Sequence, residues 1–378
     1  MGLSILKLSK KGEYDFLVIL LVVLFVVFGI VMVFSASYYS TMNIGEGDPY
    51  YYLKRQCAFA MMGIVSMLVF MKVDYHWYTN IRVATVVLGL CFLLLILVYT
   101  PLGVTVNYAT RWIVVMGIRI TPSEITKLGL IIFTAAFLAD KPERIRKFTT
   151  GLAPLFAIMA VYAGIIIKQP NLSTAIVICA IMVAIMLIAG LNWGYLVGLI
   201  GVFIAGMMYI LSFKQDTHWY ARLTNFMDPF ANKLEEGYQV SQSLIALGNG
   251  GVTGRGLGAS ITKYLYLPEP QNDFILAIIG EELGFIGIAV MMICYLILIY
   301  RGLAIAINAK DKAGLLLASG ITMMLAVQVI INVAVVTASM PATGITLPFV
   351  SYGGTSLIVF LTSMGMLLNI SRKDNKKA

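Results

Sequence analysis

The sequence predicts an all-α, polytopic integral membrane protein of ten transmembrane helices, with both termini cytoplasmic and a large extracellular loop between helices 7 and 8. Three observations carry this reading. Of the 378 residues, 60% are hydrophobic and only 12% charged, against roughly 45–50% and about 25% in soluble domains, and a mean hydropathy of +0.90 turns the surplus toward lipid. Apolar runs recur along the whole chain. Lys and Arg collect in the segments that such a map places on one side, as cytoplasmic loops require. Residues 1–378 read as a single transmembrane domain, with no internal repeat, low-complexity segment or second soluble domain.

The first span is residues 16–34, nineteen consecutive residues without a charge behind Lys7, Lys10 and Lys11. A cleaved signal peptide would carry an apolar core of about 7–15 residues, so this run is a first transmembrane helix. Later runs fall near 56–71, 83–99, 122–139, 151–167, 172–189, 193–213, 274–300, 313–337 and 350–370. With the N-terminus inside, 16 Lys and Arg are cytoplasmic and 10 are outer, while Lys127 lies within a span. Five of the outer ten belong to the loop at 214–273, and long loops count less, so the comparison over short loops is 16 to 5. The net charge, 27 − 18 = +9, is thereby explained by topology, and nucleic acid is excluded as a partner. Cys57, Cys91, Cys179 and Cys294 lie in apolar segments with no close pair, which argues against a disulfide framework or zinc site. The only histidines, His76 and His218, argue against a histidine-based metal site or triad.

An ionisable side chain inside a span costs a few kcal/mol unless it is paired or faces water, so each one is a functional candidate. Thr121-Pro122-Ser123-Glu124 opens the fourth span, with Pro122 suited to the first helical turn, and Glu124 and Lys127 sit three apart on one helix face. Two readings stand: a structural ion pair, or a pair lining an outward cavity in which Lys127 meets an anionic substrate. The eighth span begins Pro268-Glu269-Pro270-Gln271-Asn272-Asp273. Asp273 is placed as an N-cap, and an ionised carboxylate at the outer mouth of a cavity also suits a general base or a metal ligand. Glu281 and Glu282 lie about two turns deeper and point about 100° apart, so one of them is expected to face the same cavity.

The outer loop is too long for a simple connection, and such loops are usually functional or disordered. Within it Tyr238, Val240, Leu244, Ile245 and Leu247 form a helix-like apolar stripe, with Gln239, Ser241, Gln242 and Ser243 opposite, as in a short helix at the outer interface. The next stretch, GNGGVTGRGLG at 248–258, has six glycines in eleven residues with Arg255 among them. Such a run lets backbone amides approach a phosphate, but it lacks the ending of a phosphate-binding loop and the setting of a dinucleotide fingerprint, so it reads as an interfacial turn or a lipid-phosphate clamp. Lys168-Gln169-Pro170-Asn171-Leu172-Ser173-Thr174 joins spans five and six. Thr343 to Ser356, with Tyr352, Gly353 and Gly354, is a candidate re-entrant segment, tolerated at membrane depth only if buried or lining water.

These strings together resemble the SEDS family (shape, elongation, division and sporulation), whose members include FtsW, RodA and SpoVE. The resemblance spans essentially the whole chain and rests on Trp112 followed by Pro122-Ser123-Glu124 and Lys127; Lys168 to Leu172; Gly254-Arg255-Gly256-Leu257-Gly258; Leu267-Pro268-Glu269 with Asp273-Phe274; Gly280-Glu281-Glu282-Leu283-Gly284; and Pro348 with Ser351-Tyr352-Gly353-Gly354. It implies ten transmembrane helices in the bacterial cytoplasmic membrane and an activity polymerising lipid II, the undecaprenyl-pyrophosphate disaccharide-pentapeptide, into glycan strands on the outer face. The partners it implies are a class B penicillin-binding protein transpeptidase and other divisome or elongasome proteins. The family's essential aspartate falls on Asp273, where Gln271-Asn272-Asp273 departs from the more usual wording but keeps the acid, and the Leu-Pro-Glu-Pro-Gln wording looks more like the division and sporulation branch.

On this reading Asp273 is the catalytic base or orienter of the attacking sugar hydroxyl, and a ligand for a divalent cation (Mg or Mn) if one takes part. Lys127, Arg55, Lys168 and Arg255 neutralise the pyrophosphate. Glu124, Gln169, Asn171, Glu281, Ser351, Tyr352 and Gly353 complete the substrate contacts. Two alternatives from other classes are a transporter that flips lipid II and a non-catalytic divisome scaffold. The first should show a polar path to both leaflets, whereas the polar clusters here lie almost wholly on the outer side.

Overall fold

The computed structural model describes residues 13–43, 48–106, 109–115, 117–213, 226, 230 and 237–372. His218, the loop lysines and arginine Lys214, Arg222 and Lys233, and the terminal Lys7, Lys10, Lys11, Lys373, Lys376 and Lys377 lie outside them. The helices are α1 (Phe16–Asn43), α2 (Tyr51–Lys72), the single turn α3 (Tyr75–Tyr78), α4 (Ile81–Leu97), α5 (Pro122–Asp140), α6 (Ala153–Lys168), α7 (Leu172–Ile188), α8 (Trp193–Phe213), α9 (Tyr238–Gly250), α10 (Ile275–Ile307), α11 (Lys312–Val336) and α12 (Gly354–Ser371). Seven of these are long and apolar enough to cross a membrane: α1, α2, α5, α6 with the turn before it, α10, α11 and α12. Shorter apolar helices, α4, α7 and α8, stand where the remaining spans were expected.

The chain is mostly rather than wholly helical. Between α4 and α5 it forms an antiparallel sheet of β1 (Gly103–Val106), β2 (Ala109–Val115) and β3 (Ile118–Ile120), in the order β1-β2-β3, with Val104 opposite Trp112 and Ile113 opposite Ile120. The dense Val, Thr and Ile of this stretch favour a pleated surface over a helix. Gly117, at φ 77°, turns the chain from β2 into β3.

Helix packing follows the rule for apolar surroundings, where close approach replaces the hydrophobic drive and small residues mark the contacts. A β-carbon added at Gly365 of α12 would collide with the backbone of Met67 on α2, and one at Gly320 of α11 would strike Ile131 of α5 and Ile185 of α7. The expected helix in the outer loop is present as α9, but its buried face differs from the apolar stripe. Ser241 and Ser243 are buried and Ile245 is 42% exposed, because the serines and Gly250 allow close packing. Ser243 Oγ donates to the Val336 carbonyl (2.7 Å), and Gly250 lies against the backbone of Gly280.

The end of the bundle that holds the starts of α1 and α11 and the ends of α2, α10 and α12 is stitched by two charge clusters. Arg301 Nη2 of α10 donates to Asp15 Oδ2 at 2.5 Å with both groups buried, and the Asp15 amide donates to Ser371 Oγ at 3.3 Å. In the second cluster His76 Nδ1 lies 2.6 Å from Asp74 Oδ1 and Nε2 lies 2.7 Å from Asp311 Oδ2, while the Tyr75 hydroxyl donates to Asp311 Oδ2 at 2.9 Å. Both ring nitrogens face carboxylates, so both donate and the imidazolium is favoured. Burial works against that charge, but the hydrogen bonds from Asp74 and Asp311 outweigh it and hold His76 above its ordinary value. The clamp therefore stabilises the fold fully below the unfolded-state value of about 6.5 and loses strength as pH rises through the folded-state value. Its exposure limits the effect to about 1 kcal/mol or less. The thermal midpoint should fall as pH is raised above about 6.5, and the fall should vanish in His76→Gln; equal pH profiles for the two proteins would refute the clamp.

Candidate active site

The opposite end of the bundle gathers the starts of α2, α5, α7, α10 and α12 and the ends of α4, α6 and α11. Every residue singled out from the sequence belongs to it or to the loop above it. α5 begins at Pro122 with Thr121 as N-cap, and the Thr121 amide donates to Thr355 Oγ1 of α12 at 3.1 Å. One turn on, Lys127 Nζ donates to Glu124 Oε1 at 2.7 Å. The Lys127 side chain is 2% exposed and that of Glu124 15%, so the two charges form an internal pair. The second Glu124 oxygen is buried with no hydrogen-bond donor, which leaves an acceptor for a ligand or water.

Asp273 lies one residue outside α10, whose N-cap is Phe274 and takes no side-chain cap bond. The expected N-cap role therefore does not hold, because the turn through Glu269, with φ 44°, carries the chain in one residue later. The backbone of Asp273 is clamped instead: Asn332 Nδ2 of α11 donates to the Asp273 carbonyl and to the Ile345 carbonyl, both at 2.8 Å. Its half-exposed carboxylate faces Gly344, where an added β-carbon would stand 3.8 Å from Oδ2 and φ is 72°, so the space beside the acid is kept open by a residue without a side chain.

The segment 341–353 runs without helix between α11 and α12 and is held from three sides. The Tyr352 amide donates to the Gln271 carbonyl at 2.8 Å. Gln56 Nε2 of α2 donates to the Ser351 carbonyl at 3.4 Å, and Ser351 Oγ, itself buried, accepts from the Leu347 amide at 2.8 Å. Gly353 is the N-cap of α12, and Thr346 Oγ1 meets Ser356 Oγ at 3.3 Å. Tyr352 packs edge-on against Tyr52 at 4.7 Å, and Arg55 lies over the Tyr51 ring at 4.4 Å and beside the Tyr352 hydroxyl. Contacts thus run from Asp273 through Gly344 and Ile345 to Thr346, Ser356 and Thr355, and on to Thr121 and the Glu124–Lys127 pair.

Other expected ligands serve the scaffold. Gln169 is buried, and its Nε2 donates to the Leu95 carbonyl at 3.1 Å. Its own carbonyl accepts Arg111 Nε of β2 at 3.2 Å, and Arg111 also donates to the Pro170 carbonyl, tying the sheet to the α6–α7 turn. Asn171 caps α7, its Oδ1 accepting from the Thr174 amide at 3.2 Å. Lys168, the last residue of α6, is exposed.

The glycine run and the Gly280-Glu281-Glu282-Leu283-Gly284 string form one interlock. At Gly284, φ 68°, α10 breaks its own ladder: the amides of Phe285 and Ile286 donate to the carbonyls of Gly251 (2.9 Å) and Val252 (3.1 Å), and the freed carbonyls of Glu281 and Glu282 accept from the amides of Arg255 (3.0 Å) and Gly256 (2.9 Å). Two helical bonds become four bonds across the loop. A side chain at Gly254 or Gly284 would collide with the other strand's backbone, and both positions need positive φ. These amides are already committed, so the run is not a phosphate cradle. The Arg255 side chain remains exposed, as do Val252 and Leu257.

Both glutamates point inward at 0% exposure. Glu281 accepts from Ser260 Oγ (2.5 Å), the Ile261 amide (3.2 Å) and the Thr262 amide (3.1 Å). Glu282 pairs with Lys263 Nζ at 3.0 Å and accepts from Ser35 Oγ (2.7 Å) and the Gly258 amide (2.9 Å). Both carboxylates are thereby bonded to the loop after α9, and Glu282 to α1 as well. Sequence reasoning missed Lys263, counted only as a loop charge, and Asn332, whose one signal was an amide set in an apolar span.

A family described as cell cycle protein, grouping FtsW, RodA and SpoVE, matches residues 15–376. Stage V sporulation protein E of Bacillus subtilis (strain 168) is 40% identical over 369 residues, 96% of this chain and 98% of that protein. A probable peptidoglycan glycosyltransferase FtsW of Geobacter sp. (strain M18) is 38% identical over 367 residues, 97% and 99% of the two chains. Among solved structures, the rod shape determining protein RodA of Thermus thermophilus aligns with a TM-score of 0.70 at 26% identity, covering 97% of this chain and 99% of that one. A chain of a peptidoglycan synthase complex, described for the coordination of polymerization and crosslinking, aligns with a TM-score of 0.77 at 26% identity and the same coverage.

Proposed function

The chain belongs to the FtsW, RodA and SpoVE family of multi-pass cytoplasmic membrane proteins, and from that premise we propose that it is a peptidoglycan glycosyltransferase that polymerises lipid II on the outer face of the membrane. Relatives over the full length carry the glycosyltransferase name. The observation that carries the mechanism is the half-buried Asp273, whose backbone carbonyl is held by Asn332 at the end of the bundle where the other polar strings converge. Ten spans with both termini cytoplasmic put this end outside, in keeping with the 16 to 5 distribution of short-loop basic residues.

In the reaction the 4-hydroxyl oxygen of one sugar attacks the anomeric carbon of another, the bond from that carbon to the lipid pyrophosphate breaks, and the hydroxyl proton passes to Asp273. The exposed Lys168 and Arg255 and the half-buried Arg55 are cations placed to neutralise the pyrophosphate. Lys127 reaches it only if its pair with Glu124 is shared with the substrate. Ser351, Tyr352 and Gly353 shape the wall beside the acid, whereas Gln169, Asn171 and Glu281 act through the scaffold. A divalent cation, Mg or Mn, remains part of the proposal: among the described residues no three His, Cys, Asp or Glu gather as ligands, so an ion on Asp273 would draw its other ligands from substrate phosphate and water.

The partner is a class B penicillin-binding protein, in line with the synthase complex among the similar structures. Identities of 38–40% to proteins named FtsW or stage V sporulation protein E, beside 26% to RodA, favour the division or sporulation branch. The test is glycan synthesis from purified lipid II by the purified chain, with and without its transpeptidase. Product chains are expected and should increase with the partner; no product in either condition, with lipid II crossing the bilayer, would turn the reading to a transporter.

A further inference from the structure

At the end of the bundle away from Asp273, a cleft of about 290 Å³ opens between the ends of α5 and α7, the start of α11 and the turn Pro142–Arg146. Its floor is apolar, formed by Leu138, Ile145, Leu315 and Leu316, and its rim carries Arg146, Lys312 and Glu143. The charges divide unequally. Arg144 next to the cleft is committed, with Nη1 3.2 Å from Asp140 Oδ2 and its guanidinium 4.3 Å over the Phe137 ring. The Glu143 carboxylate is 87% exposed and lies 4.0 Å from Lys147. The acid beside Lys312, Asp311, is engaged by the Gly314 amide, Tyr75 and His76. Among the described residues, Arg146 and Lys312 enter no ion pair.

We infer that this cleft binds an anionic glycerophospholipid of the cytoplasmic leaflet, its phosphate between Arg146 and Lys312 and the root of an acyl chain on the leucine and isoleucine floor. Two uncommitted cations above an apolar floor, at the level where the helices leave the membrane, match a phosphodiester attached to hydrocarbon. A zwitterionic headgroup carries its own ammonium and offsets the attraction, and a free anion leaves the floor uncovered. The bound lipid would join the far ends of α5, which bears the Glu124–Lys127 pair, and α11, which bears Asn332. The leaflet assignment rests on the orientation given above.

The experiment is native mass spectrometry of the delipidated full chain, titrated with phosphatidylglycerol, phosphatidylcholine or inorganic phosphate. Phosphatidylglycerol should bind at least about tenfold more tightly than phosphatidylcholine, and the double variant Arg146→Gln/Lys312→Gln should lose about 30-fold of that affinity, at about one kcal/mol for each cation. Lys72→Gln, a basic residue at the same end outside the cleft, should leave it unchanged. Equal binding of the two lipids, an unaffected double variant, an equal loss in Lys72→Gln, or phosphate competing as well as the lipid would each overturn the site. A carboxy-terminal green fluorescent fusion reports the orientation, and polymerisation of lipid II by the same preparation reports the activity, so failure of either is distinguishable from failure of lipid binding.

Discussion

Asp273→Ala is expected to lower glycan polymerisation by about 10²–10⁴-fold, the range lost with a general base, while the protein keeps its fold. The backbone bond survives the change: Asn332 donates to the Asp273 carbonyl, and α10 takes its N-cap from Phe274 without a side-chain bond. Removing the carboxylate therefore leaves the clamp in place. Gly344 beside Oδ2 adds no side chain, so an alanine there meets open space. Asp273→Asn keeps the shape and loses the base, and should be nearly as inactive; an Asn variant of wild-type rate would assign the residue to orientation by hydrogen bonding alone. Turnover of lipid II by purified protein with its transpeptidase, beside a thermal unfolding curve for each variant, reads both outcomes. Unchanged synthesis in Asp273→Ala would remove it from the mechanism.

Lys263→Met should cost about 3–5 kcal/mol of stability, the usual loss when one member of a buried ion pair is removed. Glu282, at 0% exposure, would keep Ser35 Oγ and the Gly258 amide as donors but lose its counter-charge, and the Gly258 carbonyl would lose Lys263 Nζ at 2.6 Å. Replacing both members, Lys263→Met with Glu282→Met, should recover much of the loss, because an apolar pair of similar volume avoids an uncompensated buried charge. The Leu267 amide bonds the Thr262 carbonyl at 3.0 Å, so the segment held by this network leads within six residues to Asp273. The single variant should consequently lose activity along with its thermal midpoint. A midpoint unchanged in Lys263→Met would mean that the pair adds nothing; a double variant no better than the single would mean that shape rather than charge holds the loop.

The two predictions show how differently the chain disclosed its parts. Asp273 was legible because a carboxylate at the edge of a long apolar run is expensive in lipid, and its family setting was legible because six short strings occur in a fixed order. The meaning of two of those strings was not. The glycine run at 248–258 reads as an interfacial turn or a lipid-phosphate clamp, and Gly280 to Gly284 as part of a helix that points an acid into a cavity. In the folded chain they grip one another, exchanging two helical bonds for four across the loop. Gln169 and Asn171 have polar side chains suited to a sugar, but they meet the Leu95 carbonyl and the Thr174 amide. The sheet at 103–120 escaped because an apolar stretch too short to span carries little period of its own.

By itself the sequence determined the membrane class, the positions of the long apolar helices, the family and the acid expected to act, since each depends on composition or local order along the chain. Only the tertiary structure decided which polar groups remain open. Hydrogen-bond partners of buried carboxylates and amides come from segments distant in the chain: Ser35 and Lys263 for Glu282, Asn332 for the backbone of Asp273, Asp15 for Arg301. Because a buried polar group must be satisfied wherever a partner lies in space, no pattern of neighbours in sequence separates a group committed to the scaffold from one left open to substrate.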